Sequence, residues 1–277
     1  MSEKLAFEIN NRLNKLKKVL QESNLDAALI IQNVDLFYFS GTFQQGILFV
    51  PSIGEPFLFI KKVFDRAKLE SPIKNIYPFK SLNDISSILS DFGYYPKTIG
   101  VEMDVLPVNL YQRYTEVFSD SIFFDFSLKI RKIRMQKSLY EVEKLKESAR
   151  LIDELFDEIK PYIKEGLREI DIEFELEYLA RKKGHAGIVR MRAFNQEMFY
   201  GHLLSGESVF KTSYVDSPTG GEGHGVYFSQ GASKNTIKKD EPFSVDFVFS
   251  YEGYLVDMTR IFYLGNPPEH YLKVYNV

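Results

Sequence analysis

The chain has 277 residues, of which 44% are hydrophobic and 26% are charged, and its formal net charge at pH 7 is −3. This length allows a large core and favours two domains over one, while the absence of a basic excess argues against nucleic acid or an anionic membrane as a partner. The chain contains no cysteine, which excludes disulfides, thiolate metal sites and cysteine nucleophiles.

The amino-terminal sequence has no apolar run that could form the core of a signal peptide. No stretch of the chain approaches 18 uninterrupted apolar residues, the length typical of a membrane-spanning helix. We therefore expect a cytoplasmic protein without a membrane partner.

Helical and strand patterns are mixed in the first part of the chain. Apolar residues recur at helical spacing from Ile9 to Leu20, and residues 27–31 form an apolar run typical of a buried strand. The apolar runs 46–50 and 56–60 flank a turn-like insert and predict a hairpin. Further on, a strand is predicted over residues 98–102, a helix over 108–118 and a strand over 122–126. This mixture predicts an α/β domain.

A basic segment over residues 130–136 separates this part from the rest of the chain. We interpret it as a linker, which gives domains 1–130 and 135–277.

Two helices are predicted after this boundary. Ser138 and Glu141 have the spacing of a capping box, and the apolar residues that follow keep a 3, 4, 3, 4, 3 spacing as far as Pro161. A second helix is predicted over residues 169–183 and ends at Gly184. The apolar stripes of both helices are typical of core packing.

Residues 242–262 contain two aspartates, Asp246 and Asp257, in a largely apolar stretch. The alternation of apolar and polar residues before and after residues 251–253 predicts two strands joined by a turn, in which the glycine tolerates a positive φ. If the hairpin centre lies between Tyr251 and Glu252, the two aspartates stand directly opposite each other on one face.

The repulsion between two directly opposed carboxylates has to be offset by another interaction. Directly opposed Cβ atoms lie about 4.5 to 5.5 Å apart, and like charges at that distance are destabilising. Two divalent cations roughly 3.5 to 4 Å apart would offset the repulsion, since hard oxygen ligands suit such ions. The alternative is that both carboxylates cap turns or pair with Lys and Arg at a sheet edge. Two aspartates in register inside aromatic strands favour the metal site.

The same segment resembles the metal-binding hairpin of the pita-bread metallopeptidases, the family of Xaa-Pro aminopeptidase, prolidase and methionine aminopeptidase. The family pattern is an Asp, a Gly-Tyr turn, a second Asp eleven residues after the first, and then x-Thr-Arg. It is matched here by Asp246, Gly253-Tyr254, Asp257 and Thr259-Arg260. The resemblance implies that Asp246 and Asp257 are metal ligands and that the Thr259 hydroxyl supports them.

The first domain also carries a resemblance. Residues 33–41, NVDLFYFSG, are similar to the Asn-x-x-Tyr-x-Ser-Gly segment of prolidases and creatinases, with Asp35 at the place of the family's Asn. Turn chemistry alone would also favour Tyr, Ser and Gly after a strand. Together with the preceding helix and strand, the segment implies an α/β (α+β) fold, in which a creatinase-type amino-terminal domain precedes a partial pita-bread domain.

The chain has four histidines, and each alone is more often structural than catalytic. His202 lies in residues 194–206, which resemble a bacterial and archaeal branch of the Xaa-Pro peptidase family, and His224 lies in a glycine-rich stretch of the same branch. Prolidases place a substrate-contacting His seventeen residues before the first metal Asp, where this chain has Ser229. His202 and His224 are therefore the candidate catalytic residues that could replace it.

Family members continue beyond the second Asp through a His and two Glu ligands, one of which is the general base. This sequence ends at Val277, and His270, which is too close to Asp257 to replace the missing ligand, is interpreted as a loop cap beside two prolines. We therefore expect the chain as printed to bind metal weakly and to be inactive.

For the full-length protein, the resemblance implies a homodimeric, metal-dependent peptidase that removes the amino-terminal residue from short Xaa-Pro peptides with two divalent ions, Mn, Co or Zn. One alternative is a creatinase-like hydrolase that acts without metal, although such an enzyme has no need of the Asp pair. The other is a non-catalytic pita-bread module that binds peptides or proteins, which Ser229 and the missing ligands favour.

Overall fold

The computed structural model describes residues 2–192, 199–214, 217 and 219–276. These residues form two compact units. Unit 1 consists of residues 2–140 together with Arg192, and unit 2 consists of the other described residues. No helix in the described ranges combines the length and apolar content that crossing a membrane requires.

In the described residues, unit 1 is built around a six-stranded mixed sheet. Its helices are α1 (Glu3–Glu22), α2 (Asn33–Ser40), α3 (Phe64–Glu70), α4 (Leu82–Asp91), α5 (Val108–Val117) and α6 (Ser127–Met135). Its strands are β1 (Ala27–Ile30), β2 (Gly46–Pro51), β3 (Phe57–Ile60), β4 (Asn75–Pro78), β5 (Thr98–Val101) and β6 (Ile122–Asp125). The spatial order is β4-β3-β2-β1-β5-β6, in which β1, β5 and β6 are parallel and β2 is antiparallel to both neighbours.

Helices cover both faces of this sheet. Ala28 and Ile30 of β1 belong to the core that contains α1 and α6, whereas Ala27 and Leu29 belong to the core that contains α4 and α5. Because all four side chains are fully buried, the strand is a continuous apolar run without polar alternation. The bounds of the helices and strands given above confirm those predicted for this region.

The basic segment predicted as a linker is helical, so that prediction is wrong. Helix α6 extends to Met135, and Ile130 and Ile133 are buried in the core of unit 1. The basic residues Arg131 and Lys132 lie on the exposed side of the helix. The segment is thus an amphipathic helix whose apolar stripe is only two residues long.

Asp35, the residue that departs from the family's Asn, is fully buried in a charge network. It pairs with Arg192 and, at 2.7 Å, with Arg134. The Arg192 guanidinium also lies 3.2 Å from Glu102 and 2.8 Å from Asp104. Burial and the neighbouring Asp35 raise the pKa of Glu102 to about 8. The carboxyl ends of β1 and β5 are therefore joined by buried polar contacts.

Unit 2 combines helices with a small antiparallel sheet. The helices are α7 (Leu139–Glu158), which begins at the end of unit 1, α8 (Glu169–Lys182) and α9 (Glu269–Tyr275). The strands are β7 (Gly201–Ser205), β8 (Pro242–Tyr251) and β9 (Tyr254–Tyr263), in the spatial order β7-β8-β9. The two predicted helices are confirmed. His270 lies in the first turn of α9, so its interpretation as a loop residue is wrong.

One face of this sheet packs on the helices. Phe243, Val245, Phe247 and Phe249 of β8 are buried together with the apolar stripes of α7 and α8. The intervening residues of β8 point to the opposite face, as the two-residue period of a strand requires. The sheet therefore has an apolar face fixed to the helices and a second face that carries Asp246.

Val63 offers a test of backbone strain in unit 1. It precedes α3 with φ 55° and ψ 50°, a left-handed conformation that costs a β-branched residue about 1 kcal/mol or more, whereas Asn adopts it readily. The side chain is 59% exposed, so its replacement removes little packing. We expect Val63→Asn to increase the free energy of unfolding of unit 1 by about 1 kcal/mol in urea denaturation.

Ile53→Asn is the matched control, because Ile53 is a β-branched, exposed loop residue of unit 1 whose φ is not positive. A stability gain in Val63→Asn no larger than that of Ile53→Asn would show that Val63 is not strained.

Candidate metal and catalytic site

A two-residue turn sets the register of the β8–β9 hairpin. Glu252 and Gly253 have φ values of 48° and 85°, and positive φ at both positions is the signature of a type I′ hairpin turn. Tyr251 consequently pairs with Tyr254. The prediction of a centre between Tyr251 and Glu252 is wrong by one residue.

Moving the hairpin centre by one residue moves every pairing by two residues. The partner of each aspartate therefore changes, whereas the face on which it lies does not. Asp246 stands opposite Thr259, and Asp257 stands opposite Val248. Since positions two residues apart point the same way, Asp246 and Asp257 are diagonal neighbours on one face. The predicted shared face is confirmed, and the predicted direct opposition is wrong.

The two carboxyl groups interact. Burial and then the charge of Asp246 raise the pKa of Asp257, and a hydrogen bond between the two carboxyls acts in the same direction. Thr259 Oγ1 donates a hydrogen bond of 2.7 Å to Asp246 Oδ1. The hydroxyl at the position opposite Asp246 therefore fixes one oxygen of that carboxylate.

Arg260, the last residue of the sequence motif, points away from this pair. It lies 3.2 Å from Asp153 of α7, and its guanidinium is 5.9 Å from the ring centroid of Phe156. These contacts place Arg260 on the helix-packed side of the sheet, where it joins β9 to α7.

His202 lies beside the carboxylate pair. It is the register partner of Asp246 on β7, and its Nε2 atom is 3.7 Å from Asp246 Oδ2 and 3.1 Å from Thr219 Oγ1. Burial lowers the pKa of His202, although the charges of Asp246 and Glu169 oppose this shift. The structure thus brings a neutral imidazole to the same face as both aspartates.

His224 has different partners. Its Nε2 atom lies 3.8 Å from Glu173 Oε2 of α8, and its ring contacts Phe228 edge to face at 6.0 Å between centroids. Burial, together with the charges of Glu177 and Glu169, raises the pKa of Glu173 to about 8. Ser229, at the place of the family's histidine, is exposed. The two candidate histidines therefore belong to separate clusters.

The glycine-rich segment packs directly over β7. Gly231 has φ 79°, and a Cβ atom placed on it would lie 3.5 Å from the Cβ of His202 and 3.1 Å from the ring of Phe199. Its N–H donates to the carbonyl of Gly220 at 2.7 Å. Residues 194–198, the first part of the sequence segment that singled out His202, lie outside the described residues.

Glu169, which the sequence analysis did not single out, organises the end of β7. One carboxylate oxygen accepts hydrogen bonds from the N–H and hydroxyl of Ser205, and the other accepts the same pair from Ser233. Asn235 Nδ2 also contacts this carboxylate at 3.3 Å. Because these partners are 36 to 66 residues from Glu169 along the chain, no local pattern indicates them.

The donor chemistry of Asp246 and Asp257 fits a divalent cation. Both supply hard carboxylate oxygens, and a cation would offset the repulsion that contributes to the raised pKa of Asp257. Within the part of the chain that the structure describes, no cluster of three or more His, Asp and Glu side chains is arranged to hold a metal ion. The pair therefore supplies part of a coordination shell.

Two family models match the chain. The model of the creatinase/prolidase N-terminal domain matches residues 12–136, and that of metallopeptidase family M24 matches residues 143–277. Residues 143–277 therefore form a domain of metallopeptidase family M24. This family consists of metal-dependent peptidases with the pita-bread fold, and the predicted family, fold class and hydrolase activity are confirmed at this level.

Individual relatives agree with the family assignment. The chain is 26% identical over 274 residues to an uncharacterized peptidase of Staphylococcus epidermidis, covering 96% of this chain and 70% of that one. It is also 26% identical over 271 residues to an Xaa-Pro dipeptidase of Pyrococcus furiosus, covering 97% of this chain and 69% of that one.

Solved structures share the fold. An Xaa-Pro dipeptidase from Bacillus anthracis superimposes with a TM-score of 0.78 at 22% identity, covering 97% of this chain and 68% of that chain. A prolidase from Pyrococcus horikoshii superimposes with a TM-score of 0.74 at 21% identity, covering 96% of this chain and 68% of that chain. Both likenesses extend over the two units.

Glu173→Gln is expected to remove a pH-dependent loss of stability. The folded pKa of Glu173 is about 8, whereas an unfolded glutamate titrates near about 4.3, so the folded protein holds this proton more tightly. The resulting stabilisation is complete below the unfolded pKa and is lost as the pH rises towards 8. We expect the variant to exceed the wild type's unfolding free energy by a small amount at pH 5 and by a larger amount at pH 8, because the difference grows by about 1.4 kcal/mol per pH unit between the unfolded and folded pKa values.

The measurement is urea denaturation of both proteins at pH 5 and pH 8. Glu143→Gln, at an exposed position of α7, serves as the control and should change stability equally at both pH values. A Glu173→Gln effect that does not vary with pH would contradict the raised pKa.

Proposed function

We propose that the protein is a metal-dependent peptidase that releases the amino-terminal residue from Xaa-Pro peptides. The observation that carries the proposal is the Asp246–Asp257 carboxylate pair on one sheet face, with Thr259 fixing Asp246 and His202 beside it. The family assignment supports a peptidase. The name of the Pyrococcus furiosus relative, Xaa-Pro dipeptidase, supports the substrate class.

Each residue of the site has a proposed role. Asp246 and Asp257 hold two divalent cations, for which Mn, Co and Zn are the proposed metals. Such cations lower the pKa of a bound water and polarise the scissile carbonyl. Thr259 keeps the Asp246 carboxylate in one orientation. His202 contributes a neutral imidazole that can donate a hydrogen bond to the substrate.

His224 is a second candidate for contact with the substrate. The buried Glu173 carboxyl lies 3.8 Å from its Nε2 atom and can orient the ring. His224 is partly exposed in the glycine-rich segment, so its other nitrogen is accessible from solvent more readily than that of the buried His202. We also propose that the protein is cytoplasmic and forms a homodimer.

A non-catalytic peptide-binding module is the second candidate function. The observation in its favour is Ser229, which puts an exposed hydroxyl where prolidases have an imidazole. A creatinase-like reaction without metal has less support, because it leaves the adjacent Asp246 and Asp257 carboxyls without a cation to offset their repulsion.

The complete product of the gene is expected to hydrolyse Xaa-Pro dipeptides when supplied with Mn²⁺ or Co²⁺. Asp257→Asn should reduce turnover by more than about a hundredfold, since even the loss of a residue that only supports a metal ligand costs 10- to 100-fold. Asp240→Asn is the control, because Asp240 is an exposed residue with φ 63° that Asn can adopt.

Unchanged turnover in Asp257→Asn would place the chemistry elsewhere. An absence of turnover with every metal, combined with peptide binding, would favour the non-catalytic module.

The 277-residue chain by itself is expected to bind Mn²⁺ weakly and to show no turnover. Two carboxylates provide only part of a coordination shell, whereas a dinuclear site needs more ligands to offset the dehydration of each ion. Calorimetric titration with Mn²⁺ beside a peptidase assay tests this. Tight binding of two ions with turnover would show that the metal site lies elsewhere in the chain.

A further inference from the structure

His202 Nε2 has two oxygen neighbours at unequal distances. Thr219 Oγ1 lies 3.1 Å away, which is a hydrogen bond, whereas Asp246 Oδ2 lies 3.7 Å away, beyond hydrogen-bond length. The imidazole is therefore bonded to a neutral hydroxyl, although a carboxylate lies beside it.

The choice of the Thr219 hydroxyl over the Asp246 carboxylate is the reverse of what the strengths of the two hydrogen bonds would favour. A hydrogen bond to a carboxylate is shorter and roughly twice as strong as one to a neutral oxygen. His202 and Asp246 are register partners on adjacent strands, so a small side-chain rotation would join them without any movement of the backbone. Something must hold the imidazole away from Asp246.

Thr219 is placed to do so from outside the sheet. It adjoins Gly220, whose carbonyl accepts the N–H of Gly231 at 2.7 Å. Gly231 in turn packs against the Cβ of His202, because a Cβ on Gly231 would lie only 3.5 Å from it. The position of the Thr219 hydroxyl is thus fixed by the same segment that covers His202.

Two threonines flank the Asp246 carboxylate. Thr259 donates to Oδ1 from β9, at 2.7 Å. Thr219 binds the imidazole that would otherwise engage Oδ2. With both bonds made, Asp246 Oδ2 has no hydrogen bond to His202.

We propose that Thr219 is a positioning residue of the site, which keeps His202 away from Asp246 and so leaves Asp246 Oδ2 available to a divalent cation. This inference rests on the proposed function in taking a divalent cation as the ligand of Asp246. Without the Thr219 hydroxyl, His202 and Asp246 pair with each other, and a cation must displace the imidazole before it can bind.

The test compares three threonine variants. Thr219→Val has nearly the shape of threonine but no hydroxyl, Thr219→Ser keeps the hydroxyl, and Thr236→Val alters an exposed threonine of the same unit as a control. Mn²⁺ binding is measured by water-proton relaxation. We expect Thr219→Val to raise the Mn²⁺ dissociation constant about fivefold, the effect of one hydrogen bond, and Thr219→Ser and Thr236→Val to leave it unchanged.

A second readout needs no metal and no activity. The imidazole nitrogens are observed by NMR in protein labelled with ¹⁵N-histidine, and the His202 signals are assigned by their loss in His202→Gln. Thr219→Val should move the His202 Nε2 resonance by several ppm, whereas Thr219→Ser should restore the wild-type position. A purely structural role for Thr219 would not separate the valine and serine variants in this way.

The outcomes distinguish this inference from the proposed function. If the complete product of the gene binds no Mn²⁺ and cleaves no peptide, the proposed function is wrong, and the NMR comparison still decides whether Thr219 positions His202. If Thr219→Val leaves both the resonance and the Mn²⁺ affinity unchanged, or if Thr219→Ser behaves like Thr219→Val, the inference is overturned.

Discussion

The site depends on the register of one hairpin. Glu252 and Gly253 form a turn with two positive φ angles, and that turn places Asp246 and Asp257 diagonally on the same face. A register slip of one residue would turn every side chain of β9 to the other face. Asp257 would then point into the apolar core with no partner for its charge, so the register is fixed both by the turn and by the cost of burying a carboxylate.

One face of the hairpin packs against helices, and the other face carries the side chains of the candidate site. On one face, alternating phenylalanines and a valine of β8 pack on α7 and α8, which makes the strand a rigid support. On the other, a carboxylate pair, two threonine hydroxyls and an imidazole lie close together. Glu169 joins the edges of this arrangement by accepting hydrogen bonds from Ser205 and Ser233. The Asp246 and Asp257 carboxylates can stay close despite their repulsion, because packing on the opposite face of the sheet holds their strands in place.

The departures from the family pattern have physical counterparts in the structure. Ser229 replaces an imidazole, and His202 supplies one from β7 on the same face as Asp246. In unit 1, Asp35 replaces an amide with a carboxylate, and two arginines neutralise it. At both positions, the residue that departs from the family pattern is matched by side chains that lie far away in the sequence.

The sequence by itself determined many of the helices and strands, the family and the face that carries the aspartates, because periodicity and hairpin composition are local properties. It could not determine the register, since only Gly253 was recognisable as a left-handed residue, while Glu252 adopts that conformation to satisfy the turn. Nor did the two-residue stripe of α6 indicate a helix, which packing of Ile130 and Ile133 stabilises. The pairing of His202 with Thr219, and of His224 with Glu173, was decided only by the tertiary structure, because these contacts join residues 17 and 51 positions apart through a segment with no regular period.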